Sequence, residues 1–195
     1  ANIIRGNSGA NRLNGGAGVD KLFGNAGNDV LIGGSGIDDM RGGTGNDRYS
    51  VDNSRDVIRE GSNQGTDLVY SSVTYRASSN VENLFLTGSG NINGTGNSSA
   101  NIIRGNSGAN RLNGGAGNDR LVGGNGIDRL TGGVGNDTII GGGGNDIFQI
   151  NSGLGRDVIT DYTPGEDRIK LLGGLAENDL SFSYVGGHTR IKDDE

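Results

Sequence analysis

Apolar residues recur at every ninth position in two stretches of the chain, Gly15–Ser50 and Gly114–Gln149. Each nonapeptide opens with Gly-Gly or Gly-Asn, and its positions are numbered here from that first glycine. Degenerate copies begin at Gly6, Gly96 and Gly105. Position eight is apolar throughout: Ile4, Leu13, Leu22, Leu31, Met40, Tyr49, Ile103, Leu112, Leu121, Leu130, Ile139 and Phe148. A phase-locked apolar position indicates a row of side chains that face inward.

The residues around position eight predict a very short strand followed by a turn. Positions seven and nine are mixed and often charged, so three successive residues alternate out, in and out. The other six, G-G-x-G-x-D, are expected to turn, because glycine adopts the positive φ that tight turns need. Two nonapeptides then make one strand–turn–strand–turn coil, and stacked coils form two parallel sheets.

An internal duplication sets the larger organisation. Residues 1–18 are identical to residues 100–117, an offset of 99, or eleven nonapeptides. We predict an all-β fold, a parallel β-roll (β-solenoid), with nonapeptide blocks at 1–50 and 96–149. Residues 51–95 lose the glycines and are predicted to form an irregular connector of wider solenoid coils, and residues 150–195 a C-terminal β cap. One continuous roll and two separate rolls both remain open.

Composition excludes several classes of protein. Glycine accounts for 41 of 195 residues, hydrophobic residues for 31%, and cysteine is absent. No apolar run reaches the length of about 18–20 residues that a membrane span needs, and a Cys/His zinc site is excluded. The net charge of −6 disfavours nucleic-acid binding. The predicted core is one thin double row, too little to offset the ordering entropy of so many glycines. Something else must stabilise the turns.

Aspartate at position six is the candidate for that role. Equivalent positions two nonapeptides apart fall in successive coils, where strands lie about 4.8 Å apart. Two carboxylates that lie so near each other repel. A hard cation between them makes the electrostatic interaction favourable. Calcium takes six to eight oxygens from carboxylates and carbonyls, whereas magnesium demands stricter geometry. The predicted ligands are Asp20, Asp29, Asp38, Asp47, Asp119, Asp128, Asp137 and Asp146.

Some turns carry a weaker version of this signal. Asn occupies position six at residues 2, 11, 101 and 110 and removes a charge. The pairs Asn11–Asp29 and Asn110–Asp128 are therefore expected to bind calcium more weakly or not at all. Asp157 and Asp161 are candidates for one further ion, and a capping role is an equal alternative for both.

The nonapeptide G-G-x-G-x-D-x-U-x, with U apolar, resembles the haemolysin-type calcium-binding repeat of RTX proteins. The resemblance covers about half of the chain and implies a parallel β-roll that holds several Ca²⁺ ions. It also implies that backbone carbonyls at positions two and four join the aspartates as ligands. These are Gly16, Gly18, Gly27, Gly34, Gly36, Gly43, Gly45, Gly115, Gly117, Gly124, Gly126, Gly133, Gly135, Gly142 and Gly144, with Asn25 at one position two.

The same resemblance implies a secreted, extracellular protein exported by a type I system. No HExxH or GxSxG motif is present, so we expect no enzyme activity in this chain. The predicted function is a structural β-roll that is disordered without calcium and folds on binding it outside the cell, as a monomer or as part of a larger chain. One alternative is a polysaccharide-binding module, using outward Arg12, Arg48, Arg111, Arg120 and Arg129. Another is an adhesive or ice-binding solenoid, for which only Thr131 and Thr138 are outward.

Overall fold

The structure is a computed structural model that describes residues 1–151, 155–176, 180–185 and 188–193. All regular secondary structure in these ranges is β-strand, as predicted. The chain divides into two compact units, Ala1–Thr87 and Gly88–Glu195. The four-segment division made from the sequence stays a prediction. In the part of the chain that the structure describes, no helix has the length and apolar character needed to cross a membrane.

The first unit contains strands β1 to β10. Parallel pairing gives one sheet of order β1-β3-β5-β7, and a second sheet contains β2-β4-β6-β8-β10. The strands are β1 (Ile3–Arg5), β2 (Arg12–Ala17), β3 (Lys21–Ala26), β4 (Val30–Ser35), β5 (Asp39–Thr44), β6 (Arg48–Val51), β7 (Val57–Ile58), β8 (Leu68–Ser71), β9 (Tyr75–Arg76) and β10 (Asn83–Leu86).

The second unit repeats this plan. One sheet contains β11-β13-β15-β17-β19, and the other contains β12-β14-β16-β18 followed by β21 and β20, which pair antiparallel. The strands are β11 (Gly94–Thr95), β12 (Ile102–Arg104), β13 (Arg111–Ala116), β14 (Arg120–Asn125), β15 (Arg129–Val134), β16 (Thr138–Gly143), β17 (Ile147–Ile150), β18 (Arg156–Ile159), β19 (Arg168–Leu171), β20 (Leu180–Val185) and β21 (His188–Asp193).

Strand register confirms the predicted coil of two nonapeptides. Leu13 pairs with Leu31, and Leu112 pairs with Leu130, so each residue pairs with its equivalent two nonapeptides further along the chain. Consecutive strands along the chain alternate between the two sheets, so each position-eight row belongs to one sheet. These rows form the core: all twelve position-eight side chains are buried except Ile4, which is half-buried.

The strands are longer than the sequence suggested. We expected three-residue strands, but β2 and β14 each have six residues and run from position seven to position three of the next nonapeptide. Their alternating burial places the position-one glycine inward beside the position-eight residue, as Gly15 beside Leu13. The turn is therefore confined to the last part of G-G-x-G-x-D, because positions one to three stay paired with the neighbouring coil.

Two coils between the blocks differ in length from the regular coil of two nonapeptides, one being longer and one shorter. The coil from Asp47 to Asp67 takes 20 residues, which agrees with the wider coils we expected. The next coil, from Asp67 to Glu82, takes only 15. It can be shorter because it dispenses with the glycine turn that the regular nonapeptide contains.

A core substitution tests whether the position-eight row determines stability. Leu121 is fully buried, so Leu121→Ala leaves a cavity and should lower the free energy of unfolding of the second unit by about 2–5 kcal/mol. Denaturant unfolding in calcium, followed by circular dichroism, measures the change. Val134→Ala is the control, since Val134 is 53% exposed and should change the free energy by less than about 0.5 kcal/mol. Equal losses in both variants would contradict an inward row.

Candidate metal site

The position-six aspartates are buried at the turns of the coils. All eight that the sequence singled out are at most 2% exposed. Each follows a turn in which glycines have positive φ, such as 87° at Gly16 and 114° at Gly18. Every glycine predicted at positions two and four has a positive φ, and Asn25, the exception at position two, has φ 82°. The predicted backbone geometry of the turns is therefore confirmed.

One oxygen of each aspartate is held by the preceding coil. The backbone N–H of Asp20 donates to Asp38 Oδ1 at 2.8 Å, and that of Asp29 donates to Asp47 Oδ1 at 2.7 Å. In the second unit Asp119 and Asp128 donate in the same way to Asp137 and Asp146, at 2.7 and 2.9 Å. The stacked pairs predicted from the repeat spacing are the pairs that the structure brings together. We call these rows the carboxylate ladders.

The second oxygen of each aspartate has no hydrogen-bond partner. The buried and unpartnered atoms are the Oδ2 atoms of Asp20, Asp29, Asp38, Asp47, Asp119, Asp128, Asp137 and Asp146. A buried carboxylate oxygen without a partner costs several kcal/mol when it is charged. An unpartnered oxygen occurs in every Gly-rich turn that has Asp at position six. This regularity indicates that a positively charged group binds beside each of these oxygens.

A backbone carbonyl shares the space beside four of the eight orphan oxygens, those of Asp20, Asp29, Asp119 and Asp128. A Cβ on Gly24 would fall within 3.0 Å of both Asp29 Oδ2 and the carbonyl oxygen of Gly42 in the next coil. Gly114 and Gly123 are surrounded in the same way. A side chain at position one would fill this space, which explains why only glycine stands there. Sequence reasoning named the carbonyls at positions two and four and missed this one at position one.

The carbonyls at positions two and four point along the stack. A Cβ on Gly34 would lie within 3.0 Å of Gly16 O, and one on Gly36 within 3.0 Å of Gly18 O. These oxygens therefore face the gap between successive turns. The donors around each turn are carboxylate and carbonyl oxygens, which is the set that calcium prefers. The residues present thus fit calcium. Once bound, calcium would supply the positive charge that the orphan oxygens lack.

Turns with Asn at position six are closed by their own side chains. Asn11 Oδ1 accepts the N–H of Asn7 at 2.7 Å, and Asn110 Oδ1 accepts that of Asn106 at 2.8 Å. Neither amide appears among the unpartnered buried atoms of the described residues. The backbone N–H of Asn11 and Asn110 still donates to Asp29 and Asp128 in the ladders. These two turns therefore continue the stack with their amide oxygens already hydrogen-bonded, and weaker calcium binding there stays a prediction.

The ladders extend beyond the glycine turns through acids that we had not assigned as ligands. Asp56 Oδ1 accepts the backbone N–H of Asp38, and Asp67 Oδ1 accepts that of Asp47. Glu82 Oε2 accepts the backbone N–H of Asp67. In the second unit Asp167 Oδ1 accepts from Asp146. A sequence signal for them exists: each acid stands two residues before a buried or half-buried apolar residue, as in Asp56-Val57-Ile58. The missing glycines hid it.

These additional rungs differ from the regular ones in their second oxygen. Asp56 Oδ2 accepts the N–H of Asn53 at 3.2 Å, and Asp167 Oδ2 accepts that of Thr163 at 2.8 Å. A local turn thus satisfies the oxygen that the glycine turns leave free.

The two acids predicted as weaker ligands have distinct places. Asp157 Oδ1 accepts the N–H of Asp137 at 3.0 Å and so occupies a rung of the ladder. Asp161 accepts the N–H of Gly141 and of Gly142 with its two oxygens, at 2.9 and 2.7 Å. This arrangement favours the capping alternative for Asp161. Calcium binding by either residue stays a prediction.

Comparison with known families matches this pattern to one model, the RTX calcium-binding nonapeptide repeat, in four copies at residues 1–31, 23–58, 95–130 and 122–159. The chain belongs to this family. A search of curated proteins finds no match. The RTX repeat is a structural calcium-binding repeat and not an enzyme family, and it typically occurs in secreted proteins. Its four copies cover both of the stretches that contain the orphan aspartate oxygens.

Burial raises the pKa of most RTX aspartates. The pKa of Asp119 rises to about 7 and that of Asp128 to about 6, chiefly through loss of solvent and further through the neighbouring Asp137 and Asp146. Burial also raises the pKa values of Asp38, Asp47, Asp137 and Asp146. At a pH between the ordinary aspartate pKa and these raised pKa values, the calcium-free folded chain therefore binds protons that the unfolded chain has released.

The sign of this linkage gives a pH prediction. Groups whose folded pKa is raised stabilise the calcium-free fold at low pH, and this contribution is lost as pH rises through about 6 to 7. The chelated chain should thus show more β structure by circular dichroism at pH 5 than at pH 8. In calcium the difference should shrink or reverse, since calcium binds the deprotonated form. A chelated chain that loses stability on acidification would contradict it.

Charge removal at one rung gives a second prediction. Asp119→Asn should destabilise the protein in calcium, where a tenfold loss of affinity at one site corresponds to about 1.4 kcal/mol. In chelator the same variant should be as stable as the parent or more stable, because an unpartnered buried charge has gone. Asp52→Asn, at an exposed acid outside the ladders, is the control. The unfolding midpoint in calcium and the β content by circular dichroism in chelator decide it, and a loss in both conditions would oppose a ligand role.

Proposed function

We propose that the chain is a calcium-dependent structural β-roll whose folding is coupled to calcium binding. The observation that carries the proposal is the set of eight buried aspartates, each with one oxygen fixed by a backbone N–H and the other unpartnered. The unpartnered oxygens lie in turns whose carbonyls also face the gaps between coils. We assign the eight aspartates, together with carbonyls at positions two and four and at position one, as the ligands of several Ca²⁺ ions.

Coupling to folding follows from the energetics of the ladders. Without a cation, each ladder places charged oxygens in a buried environment with no partner, and the thin core offsets little of that cost. The unfolded chain avoids the cost because water solvates its carboxylates. A cation that binds the folded form alone adds RT ln(1 + [L]/Kd) per site to the stability. Calcium binding and folding then occur together.

The setting we propose is extracellular. Members of this family are typically secreted, and calcium is abundant outside cells and scarce in the cytosol. A chain of net charge −6 with so many glycines would remain unfolded before export and fold after release. Type I export of the parent protein belongs to the same proposal.

A polysaccharide-binding role remains a second candidate because one observation favours it. Arg111 and Arg129 are neighbours on the parallel strands β13 and β15, and both are exposed. Two adjacent like charges would gain from a polyanion. Arg12 and Arg48 are separated by Val30 in their sheet, so these two do not form such a pair. The adhesive or ice-binding alternative stays a prediction, and Thr131 and Thr138 are only half-buried at their outward positions.

A calcium titration of the chelated protein tests the proposed function directly. Far-ultraviolet circular dichroism should change from disordered to β-rich as calcium is added, because the ions remove the electrostatic cost of the ladders. Magnesium at the same ionic strength is the control and should leave the chain disordered. A full β signal in excess chelator would overturn calcium-coupled folding and would leave a self-sufficient solenoid.

A further inference from the structure

One cluster of acids lies outside the nonapeptide pattern. Asp47, Glu60 and Asp67 each place one carboxylate oxygen so that all three oxygens lie within 4.8 Å of one another. Asp47 and Asp67 are each 1% exposed, and Glu60 is half-buried. Asp47 belongs to the last glycine turn of the first unit, whereas Glu60 and Asp67 lie in the irregular coil that follows.

Glu60 stands where the regular pattern would have a position-one glycine. It follows Gly42 by the length of two nonapeptides, just as Gly42 follows Gly24. At Gly24, Asp29 Oδ2 shares its space with the carbonyl oxygen of Gly42. At Gly42, the corresponding space is bounded by Asp47 Oδ2 and the Tyr49 hydroxyl instead. Tyr49 in turn donates a hydrogen bond to Glu60 Oε1. At this turn a tyrosine hydroxyl that is hydrogen-bonded to Glu60 thus lies where a backbone carbonyl lies at Gly24.

Two oxygens in this cluster are buried and unpartnered. They are Asp47 Oδ2 and Glu60 Oε2, while Asp47 Oδ1 accepts the N–H of Asp29 and Glu60 Oε1 accepts from Tyr49 and from Gly42. Asp47 Oδ2 faces the Tyr49 hydroxyl at Gly42, so it points toward Glu60. Asp67 is fixed beside them because its Oδ1 accepts the N–H of Asp47 at 2.8 Å. The one orphan oxygen of a regular turn has become two.

No basic side chain neutralises the cluster among the described residues. The ion pairs there involve the N-terminus with Asp20, and Arg41 and Arg59 with Asp39. Arg59, the immediate neighbour of Glu60 in sequence, contacts Asp39 at 3.1 Å and so is held elsewhere. Three carboxylates without a cation partner are the donors that a hard divalent ion requires.

The equivalent place in the second unit is built differently. There Asp146 is the last glycine-turn aspartate, Phe148 replaces Tyr49, and Asp161 takes the place of Glu60. Both Asp161 oxygens accept backbone N–H, from Gly141 and Gly142. Asp167 Oδ2 accepts from Thr163, so Asp146 Oδ2 is the only one of these acid oxygens that is buried and unpartnered. The shorter acid closes the turn by itself, whereas the longer Glu60 leaves an oxygen free.

We propose that Asp47, Glu60 and Asp67 form a divalent-cation site of the calcium class at the end of the glycine turns of the first unit. Its ligands go beyond the nonapeptide motif, since two of the three acids lie outside it. The choice of ion rests on the proposed calcium binding of the chain. The site closes the last regular turn, where a further glycine carbonyl is no longer available.

Ion counting on the full chain tests this site. Glu60→Gln should bind one Ca²⁺ fewer than the parent in native mass spectrometry and in calorimetric titration, because the amide oxygen is neutral. Glu166→Gln, at an exposed position, is the matched control and should keep the parental count. An unchanged count in Glu60→Gln would overturn the site and leave Glu60 as a hydrogen-bonded cap.

A second variant and a second readout separate a lost site from a misfolded chain. Glu60→Asp copies the second unit, so it should close the turn, keep the β-rich circular dichroism in calcium and still lose one ion. Terbium can replace calcium and be excited through Tyr49. Tyrosine-sensitised terbium emission should fall in Glu60→Gln and in Tyr49→Phe, but only Glu60→Gln should lose a calcium ion. Emission that stays at the parental level in both variants would overturn the site.

These outcomes also distinguish failure of the site from failure of the proposed function. A parent chain that binds no calcium at all would contradict the proposed function and the site together. A parent chain that binds several ions, with Glu60→Gln binding the same number at the same affinity, would contradict only the site.

Discussion

The hydrogen bond from each position-six N–H to the aspartate of the next coil is the interaction on which the rest of the molecule depends. It sets the register of two nonapeptides, because the donor and acceptor are the same position in successive coils. It also turns each carboxylate so that one oxygen is used and the other is not. The bond that stacks the coils therefore creates the electrostatic cost that a cation must remove.

The thin core makes this cost decisive. Besides the aspartate, each regular nonapeptide buries one apolar side chain and the position-one glycine beside it. A larger residue at position one would contribute apolar area, but its Cβ would collide with Asp Oδ2 and with a carbonyl of the next coil. The space beside the orphan oxygen is thus kept open at the expense of core volume, which agrees with our proposal that a cation stabilises the fold.

The irregular coils show how the chain closes a rung without a cation. Asn53 and Thr163 donate backbone N–H groups to the second oxygens of Asp56 and Asp167. In the turns of residues 7–11 and 106–110, an Asn amide oxygen replaces the carboxylate oxygen and accepts a backbone N–H of the same turn. In one ladder the closed residues Asn110 and Asp167 therefore flank two successive aspartates with an unpartnered oxygen, Asp128 and Asp146. In the first unit Glu60 lies at a boundary of this kind. Where a local N–H is available the second oxygen is satisfied, and elsewhere it is left for an ion.

The sequence by itself determined the fold class, the coil of two nonapeptides, the inward row and the eight aspartates, because each depends only on residue type at a fixed period. It could not determine which oxygen of an aspartate is free, since that depends on a backbone donor in the preceding coil. The sequence left Asp56, Asp67, Glu82 and Asp167 unassigned as ladder acids. Asp56 keeps the regular spacing but lacks the glycines. At Asp67, Glu82 and Asp167 the spacing changes, and pairing between strands restores the register. Only the tertiary structure placed the Glu60 carboxylate beside Asp47 and Asp67, because the repeat register locates residue 60 but not the direction of its side chain.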